Sequence, residues 1–236
     1  MRVKNPDRLA AIATAATDEF ISHGYTLAKV HDIARAASIS AGTVYLYAAD
    51  KGALFELALR RALGDPTVER PPLPFRRATG KKLLEILTTS LSEIAHFPHL
   101  WLACERRDVE DAAEEYDGIL REIARWLLRY RQAVLLIERN RNDWPDAHML
   151  FYEHVWFELH RRLAQYLDAR IRATYLAPIS DPYLLARFVL DGLAGFLVIG
   201  PIGTGSGDDE AALETFIAQL LGRASLPLGH GGPLPA

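Results

Sequence analysis

The stretch from Lys29 to Lys51 constrains the fold most, because it joins two short helical patterns through a break of three residues. The break, Ser38-Ile39-Ser40, carries two serines, which favour turns and helix N-caps. A second helix is predicted to begin at Ala41, with Ser40 as its N-cap. The pattern predicts a helix-turn-helix, whose second helix enters the major groove of DNA. The apolar stripe of the first helix, predicted over about 29–37, lies at Val30, Ile33, Ala34 and Ala37.

Two further helices are predicted to flank this motif. The first covers Asp7 to about His23, and Gly24 follows it as a C-terminal stop. The second runs from Lys51 to about Leu63, and Asp50 is expected to cap its first turn. Their apolar faces are expected to complete a small core around the motif.

Composition indicates an ordered protein with an uneven charge distribution. The chain has 236 residues, of which 50% are apolar and 24% charged, and this excludes disorder over most of its length. Its net charge is −3, but the part through Ala62 carries eight Lys and Arg against six Asp and Glu. The surplus favours the N-terminal part as the one that contacts phosphate. Cys104 is the only cysteine, which argues against an intrachain disulfide and a cysteine-based zinc site.

No segment of the sequence is predicted to enter a membrane. No apolar run reaches the roughly 18 residues that a membrane span requires. The first residues, Met1 to Pro6, lack the apolar core of a signal peptide. We therefore expect a cytoplasmic protein without membrane association.

The remainder of the chain predicts an all-α fold with two domains. Residues 65–80 contain four prolines, which forbid a continuous helix and predict a connection. The predicted domains are a DNA-binding domain at 1–64, the connection at 65–80, a helical ligand-binding and dimerisation domain at 81–223, and a flexible tail at 224–236. Periodicity predicts helices over about 81–96, 99–107, 111–139, 146–175 and 181–199, and a last one from Asp208. Segment 181–199 is apolar on nearly every side, which is typical of a helix buried all round.

The N-terminal quarter also carries a long series of matched spacings. The series is Ile12-x-x-Ala15-Ala16-x-x-x-Phe20-x-x-x-Gly24-Tyr25, followed by Val30-x-Asp32-Ile33-Ala34-x-x-Ala37-x-Ile39-Ser40-x-Gly42-Thr43-x-Tyr45-x-Tyr47-x-x-x-Lys51. It resembles the N-terminal domain of the TetR/AcrR family of transcriptional repressors. The resemblance implies a repressor with an inducer cavity in its C-terminal domain. The chain departs from the family pattern where Ser38 replaces the usual glycine of the turn.

Position on the second helix of the motif predicts the DNA contacts. The N-terminal end of this helix places side chains at base edges and backbone amides at phosphates. Tyr45 and Tyr47 are expected to project away from the buried Val44, toward phosphates or thymine methyl groups. Lys51 is placed to neutralise a phosphate, and the resemblance implies the same roles for these residues and for Thr43. The predicted DNA-binding residues are Lys29, His31, Ser40, Ala41, Gly42, Thr43, Tyr45, Tyr47 and Lys51.

Aromatic residues of the C-terminal part predict a ligand pocket. Helical bundles build ligand sites between facing helices, and the aromatic surface exceeds what a plain bundle needs. Its composition predicts a small hydrophobic effector, whose anionic end, if present, could meet Arg106, Arg107 or His154. For each aromatic residue taken alone, core packing is the favoured interpretation; for the group, the resemblance implies the inducer cavity. The predicted pocket residues are Phe97, Trp101, Trp126, Tyr130, Phe151, Tyr152, Trp156 and Phe188.

Metal binding and catalysis are the alternatives to regulation. Glu93-x-x-His96 has the spacing that places a carboxylate and an imidazole on one helical face, as in di-iron bundles. A second copy is absent from the sequence, as are the common phosphate-loop, nucleophile-elbow and zinc-protease motifs. We therefore predict no cofactor, no metal and no catalytic residues, and keep a metal-dependent or ligand-binding bundle enzyme as the second hypothesis.

The sequence as a whole predicts a transcriptional regulator, most simply a repressor released by its effector. Its predicted partners are double-stranded operator DNA, the effector and a second copy of the chain. A dimer is needed because two recognition helices must reach successive major grooves about one turn apart. The apolar segment 181–199, with 146–175, is predicted to form the dimer interface.

Overall fold

The computed structural model describes residues 6–176 and 178–199, together with Thr215, Ile217 and Ala218. The all-α fold class is confirmed. The predicted helix from Asp208 lies outside the described residues except at those last three, which are helical, and the predicted tail lies wholly outside. The helices are α1 (Pro6–Leu27), α2 (Val30–Ala36), α3 (Ala41–Val44), α4 (Lys51–Ala62), α5 (Lys81–Ile94), α6 (Pro98–Glu105), α7 (Ala112–Arg129), α8 (Arg131–Arg139), α9 (Pro145–Phe151), α10 (Phe157–Arg172) and α11 (Pro182–Ala194).

Packing groups the chain into two compact units. Unit 1 comprises Met1–His96 and Tyr130–Val155, and unit 2 comprises Phe97–Arg129 and Trp156–Ala236. This grouping rests on contacts alone, and the functional division at 1–64, 65–80 and 81–223 stays a prediction.

Unit 1 is built on the pairing of α1 with α4. The rings of Phe20 and Phe55 meet edge to face with centroids 5.2 Å apart, and Trp144 stacks on Phe55 at 4.4 Å. The buried side chain of Asn140 ends α8, donates to the carbonyl of Leu136 at 2.7 Å, and accepts from the backbone amide of Tyr25. The corner between α8 and α9 is therefore fixed to the end of α1.

Unit 2 contains α6, α7, α10 and α11, with α10 packed on both α6 and α11. The inward face of α10 carries one charged residue, Arg170, which is 2% exposed. Its guanidinium donates to the carboxylate of Glu115 at 2.8 Å and to the carbonyls of Ala103 at 2.8 Å and Arg106 at 3.1 Å. A buried polar network thus joins α6, α7 and α10.

Two helices that the sequence predicts as single elements are interrupted. The helix expected over 111–139 breaks at Tyr130, whose backbone (φ −101°, ψ 15°) separates α7 from α8. The helix expected over 146–175 contains a π-helical turn, Tyr152–Trp156, between α9 and α10 and ends at Arg172. Neither interruption has a glycine or proline at the break, so residue type gives no warning of it.

The apolar segment 181–199 is not buried all round in this chain, and that prediction was wrong. Leu184 is 61% exposed and Phe188 62%, whereas Ala186, Leu190 and Leu193 are buried. Contrary to the sequence expectation, Pro182–Ile199 is long and apolar enough to cross a membrane, with mean hydropathy 1.6 and 39% of it buried. A soluble core helix meets the same criteria, and this segment carries the ion pair Arg187–Asp191.

Candidate nucleic-acid interface

The helix-turn-helix forms where the sequence places it, with a strained turn. Helix α2 covers seven residues and begins after Lys29, which offers no side-chain cap. Ser38 adopts a left-handed backbone with φ 55°, a conformation that costs a non-glycine residue about 1 kcal/mol. Ser38 therefore occupies a position where glycine would adopt the left-handed conformation without strain.

We expect Ser38→Gly to raise the free energy of unfolding by about 0.5–1 kcal/mol, because it relieves the left-handed strain. Chemical denaturation at neutral pH measures the change. Ala36→Gly, at an exposed helical position of α2, is the control and is expected to lower the same quantity by a similar amount. A loss of stability in Ser38→Gly would contradict the assignment of strain.

Helix α3 is short and begins with a side-chain cap. The Oγ of Ser40 accepts from the backbone amide of Thr43 at 3.2 Å, and the two hydroxyl groups lie 2.8 Å apart. The α-helix ends at Val44, which is fully buried, and the amides of Tyr47 and Ala48 continue as a turn by donating to the Val44 carbonyl at 2.8 Å and 3.0 Å. Residues 40–43 thus form a compact, capped first turn whose exposed side is lined by small side chains.

The two tyrosines after this turn have different environments. Tyr45 is 49% exposed, whereas Tyr47 is 3% exposed. The expectation that both project away from Val44 is therefore wrong for Tyr47, because α3 ends at Val44 and the following turn directs Tyr47 inward. Contact between Tyr47 and DNA stays a prediction.

Lys51 lies at the first position of α4, behind the cap that Asp50 provides to the amide of Ala53 at 2.7 Å. Its ammonium donates to the carbonyl of Thr26 at 3.1 Å and lies 4.9 Å from the ring centroid of Tyr25. Burial raises the pKa of the Tyr25 hydroxyl, and the nearby Arg77 opposes that effect. Lys51 is therefore oriented by α1 as well as by its own helix.

All the predicted DNA-binding residues lie in unit 1, on α2, α3, the turn that follows α3, and the start of α4. Tyr47 is the buried member of the set. The other members are exposed or partly exposed, namely Lys29, His31, Ser40, Ala41, Gly42, Thr43, Tyr45 and Lys51.

The eight predicted pocket aromatics are divided between the two units. In unit 2 the ring of Phe97 lies 6.1 Å from Trp101 and 5.4 Å from Trp126, and Trp156 lies 5.2 Å from His160. In unit 1 the rings of Phe151 and Tyr152 lie 5.7 Å apart. Tyr130 also belongs to unit 1, at the start of α8, and Phe188 is exposed on α11.

An open groove in unit 2 has a volume of about 660 Å³. None of the eight aromatics lines it. Five of its eleven lining residues are acidic, and Arg106, named above for an anionic ligand end, also lines it. The carboxylates are those of Asp108, Glu110, Asp111, Glu114 and Glu115.

The candidate metal pair does not share a helical face. Helix α5 ends at Ile94, and Ala95 leaves helical geometry with ψ 57°. His96 therefore lies past the helix that carries Glu93. Within residues 6–176 and 178–199, no group of three or more His, Cys, Asp or Glu side chains is placed to hold a metal ion.

Comparison with known proteins agrees with this geometry. Residues 12–58 match the family model described as bacterial regulatory proteins, tetR family. No curated protein matches the sequence.

Solved structures with the same fold are regulators. The ketosteroid transcriptional regulator KstR2 of Mycobacterium tuberculosis aligns at 17% identity and TM-score 0.58 over 92% of this chain and 94% of its own. A TetR family regulator from Streptomyces coelicolor A3 aligns at 19% identity and TM-score 0.55, over 94% and 91%. AibR, solved with isovaleryl coenzyme A and operator DNA, aligns at 16% identity and TM-score 0.51, over 91% and 98%.

Proposed function

We propose that this DNA-binding transcriptional regulator of the TetR family is a repressor. It binds its operator as a homodimer and leaves the operator when a small hydrophobic effector binds. The observation that carries the proposal is the match over residues 12–58, which covers the capped turn of α3 and the start of α4. Thr43, Tyr45 and Lys51 lie on this stretch as the proposed base and phosphate contacts.

The exposed apolar face of unit 2 supports the homodimer. Leu184 and Phe188 lie one helical turn apart on α11, and Phe157 is exposed on the neighbouring α10. Such a patch on a soluble protein marks an interaction site, and a two-fold axis would pair it with its own copy. The proposed interface is thus the α10–α11 face.

The effector is proposed to bind in the C-terminal domain, 81–223. Of the eight predicted aromatics, the cluster of Phe97, Trp101 and Trp126 in unit 2 is the proposed contact site. Phe188 is exposed on α11 and belongs to the proposed dimer face instead. KstR2 is a ketosteroid transcriptional regulator, and AibR was solved with isovaleryl coenzyme A. The effector would bind more tightly to the form that does not bind DNA. It would thereby shift the regulator away from its operator.

A cytoplasmic regulator without catalytic activity completes the proposal. Arg187 and Asp191 form an ion pair in the middle of the apolar segment, which would be costly inside a bilayer. A metal-dependent bundle enzyme is not favoured, since His96 does not share a helical face with Glu93.

We expect Tyr45→Ala and Lys51→Ala each to weaken binding to the promoter fragment next to this gene by about 10-fold at 0.1 M salt, through lost contacts of about 1–2 kcal/mol. The Lys51 variant is also expected to reduce the salt slope of the affinity by about 1. A gel shift over a series of salt concentrations measures both effects. Arg125→Ala, an exposed charge on α7, is the control, and wild-type affinity in all three variants would refute the assignment.

A further inference from the structure

The connection at 65–80 is attached to the helix-turn-helix unit by its backbone. Phe75 pairs with Ala48 in a parallel bridge. The amide of Phe75 donates to the carbonyl of Tyr47 at 2.7 Å, and the amide of Ala49 donates to the carbonyl of Phe75 at 2.9 Å. The ring of Phe75 is buried. The connection therefore lies beside the turn between α3 and α4, next to the predicted DNA contacts.

Side chains of α4 hold the same segment at two further points. The fully buried carboxylate of Glu56 accepts from the amide of Ala78 at 2.7 Å and from Arg60 at 2.9 Å. Arg60 also donates to Asp65 at 2.8 Å and to Thr67 at 2.6 Å. Both ends of the segment are thus fixed, although the sequence suggests only a joint between domains.

Two arginines emerge between these attachment points. Arg76 and Arg77 follow Phe75 directly, precede Ala78, and are both exposed. The Cδ and Nη1 atoms of Arg77 lie 3.0 Å from the position that a Cβ atom on Gly52 would occupy. The side chain of Arg77 therefore lies across the first turn of α4, beside Lys51.

The segment around these arginines is strongly basic. From position 70 to position 82 the chain carries five Lys and Arg and no Asp or Glu. In the part of the chain that the structure describes, no carboxylate forms an ion pair with Arg76 or Arg77. With the connection included, residues 1–82 carry thirteen Lys and Arg against eight Asp and Glu. The positive surface thus extends past the helix-turn-helix.

We propose that Arg76 and Arg77 are phosphate contacts of the DNA-binding surface, contributed by the connection and not by the helix-turn-helix. A guanidinium presents several donors in a plane that matches phosphate oxygens. Because the segment is fixed by the Phe75 bridge and by Glu56, the side chain of Arg77 is held at the first turn of α4 before DNA arrives, and Arg76 is exposed next to it in the chain. The inference rests on the proposed DNA-binding function.

The test is the salt dependence of binding to a 30-base-pair duplex of arbitrary sequence, followed by fluorescence anisotropy. Each phosphate contact contributes about 0.9 to the slope of log Kd against log salt. The double variant Arg76→Ala/Arg77→Ala is therefore expected to lower the slope by about 1.8 and to keep the wild-type melting temperature. Since phosphate contacts carry no sequence information, the loss is expected to be the same on promoter DNA.

Two matched variants isolate the position of the charge. Arg76→Lys/Arg77→Lys keeps both charges and is expected to retain most of the slope. Arg61→Ala/Arg70→Ala removes two exposed charges from the same unit. Arg61 lies near the C-terminal end of α4, about 14 Å along the helix from Gly52, and Arg70 follows the turn Pro66–Val68. This control is expected to leave the slope close to the wild-type value.

The outcomes separate the inference from the function on which it rests. Equal slopes for wild type, the Arg76/Arg77 double alanine variant and the Arg61/Arg70 control would overturn the inference and leave the proposed function standing. An equal decrease in both double alanine variants would also overturn it, since position would then not matter. Absence of salt-dependent binding by the wild type would overturn both.

Discussion

Arg170→Ala is expected to lower the free energy of unfolding by about 3–5 kcal/mol, the cost of breaking a buried ion pair by removing one partner. Arg170 contacts the Glu115 carboxylate and the carbonyls of Ala103 and Arg106 through separate donors. Alanine would leave that carboxylate, whose side chain is 13% exposed, without its counter-charge. Denaturant unfolding followed by tryptophan fluorescence measures the loss, because Trp101, Trp126 and Trp156 all lie in unit 2.

A matched control lies two residues along the same helix. Arg172 pairs with Asp168 at 3.0 Å, but its side chain is 79% exposed. Exposed pairs contribute little, so Arg172→Ala is expected to change stability by less than about 0.5 kcal/mol. Similar effects in the two variants would show that the network on α10 contributes no more than a surface pair.

A double variant separates the unpaired charge from the lost volume. Arg170→Met/Glu115→Leu removes both charges and keeps apolar bulk, and such replacements are often neutral or stabilising. We expect it to recover most of the stability lost in Arg170→Ala. Failure to recover would indicate that the hydrogen bonds to the carbonyls of Ala103 and Arg106 account for the larger share of the effect.

The sequence predicts the helix-turn-helix because that information is local. Apolar spacing places Ile33, Ala34 and Val44 on inner faces, and the residue types at Ser40 and Asp50 predict the caps that form. The buried position of Tyr47 escapes prediction because the helical pattern continues in the sequence after α3 has ended. Only the backbone pairing of Tyr47 with Phe75, which is distant in sequence, shows why the chain turns there.

Contacts between distant residues explain the remaining differences. Arg170 and Glu115 are separated by 55 positions, and each has the sequence context of an exposed helical charge. The break at Tyr130 coincides with the boundary between the two units, and the flanking residues favour helix on both sides. The basic run at 70–82 is visible in the sequence, but its proximity to Lys51 depends on the bridge at Phe75.

Phe188→Glu is expected to convert the regulator into a monomer at micromolar concentration. Phe188 is 62% exposed on α11, inside the proposed interface, and a two-fold axis would bring two substituted carboxylates into the same apolar contact. Burying unpaired charge there costs several kcal/mol, so we expect the dimer dissociation constant to rise by at least about 100-fold. Sedimentation velocity of wild type and variant over a concentration series measures the change.

DNA binding provides a second readout of the same variant. A monomer can occupy only one half-site, so operator affinity is expected to fall by about 100-fold or more when the linked second contact is lost. Since one subunit contacts about half of the phosphates, the salt slope on arbitrary duplex DNA is expected to fall to roughly half. Leu128→Glu places the same charge on an exposed apolar position of α7 and is expected to remain dimeric. A monomeric wild type, or a Phe188→Glu protein that stays dimeric, would exclude α11 as the dimer contact.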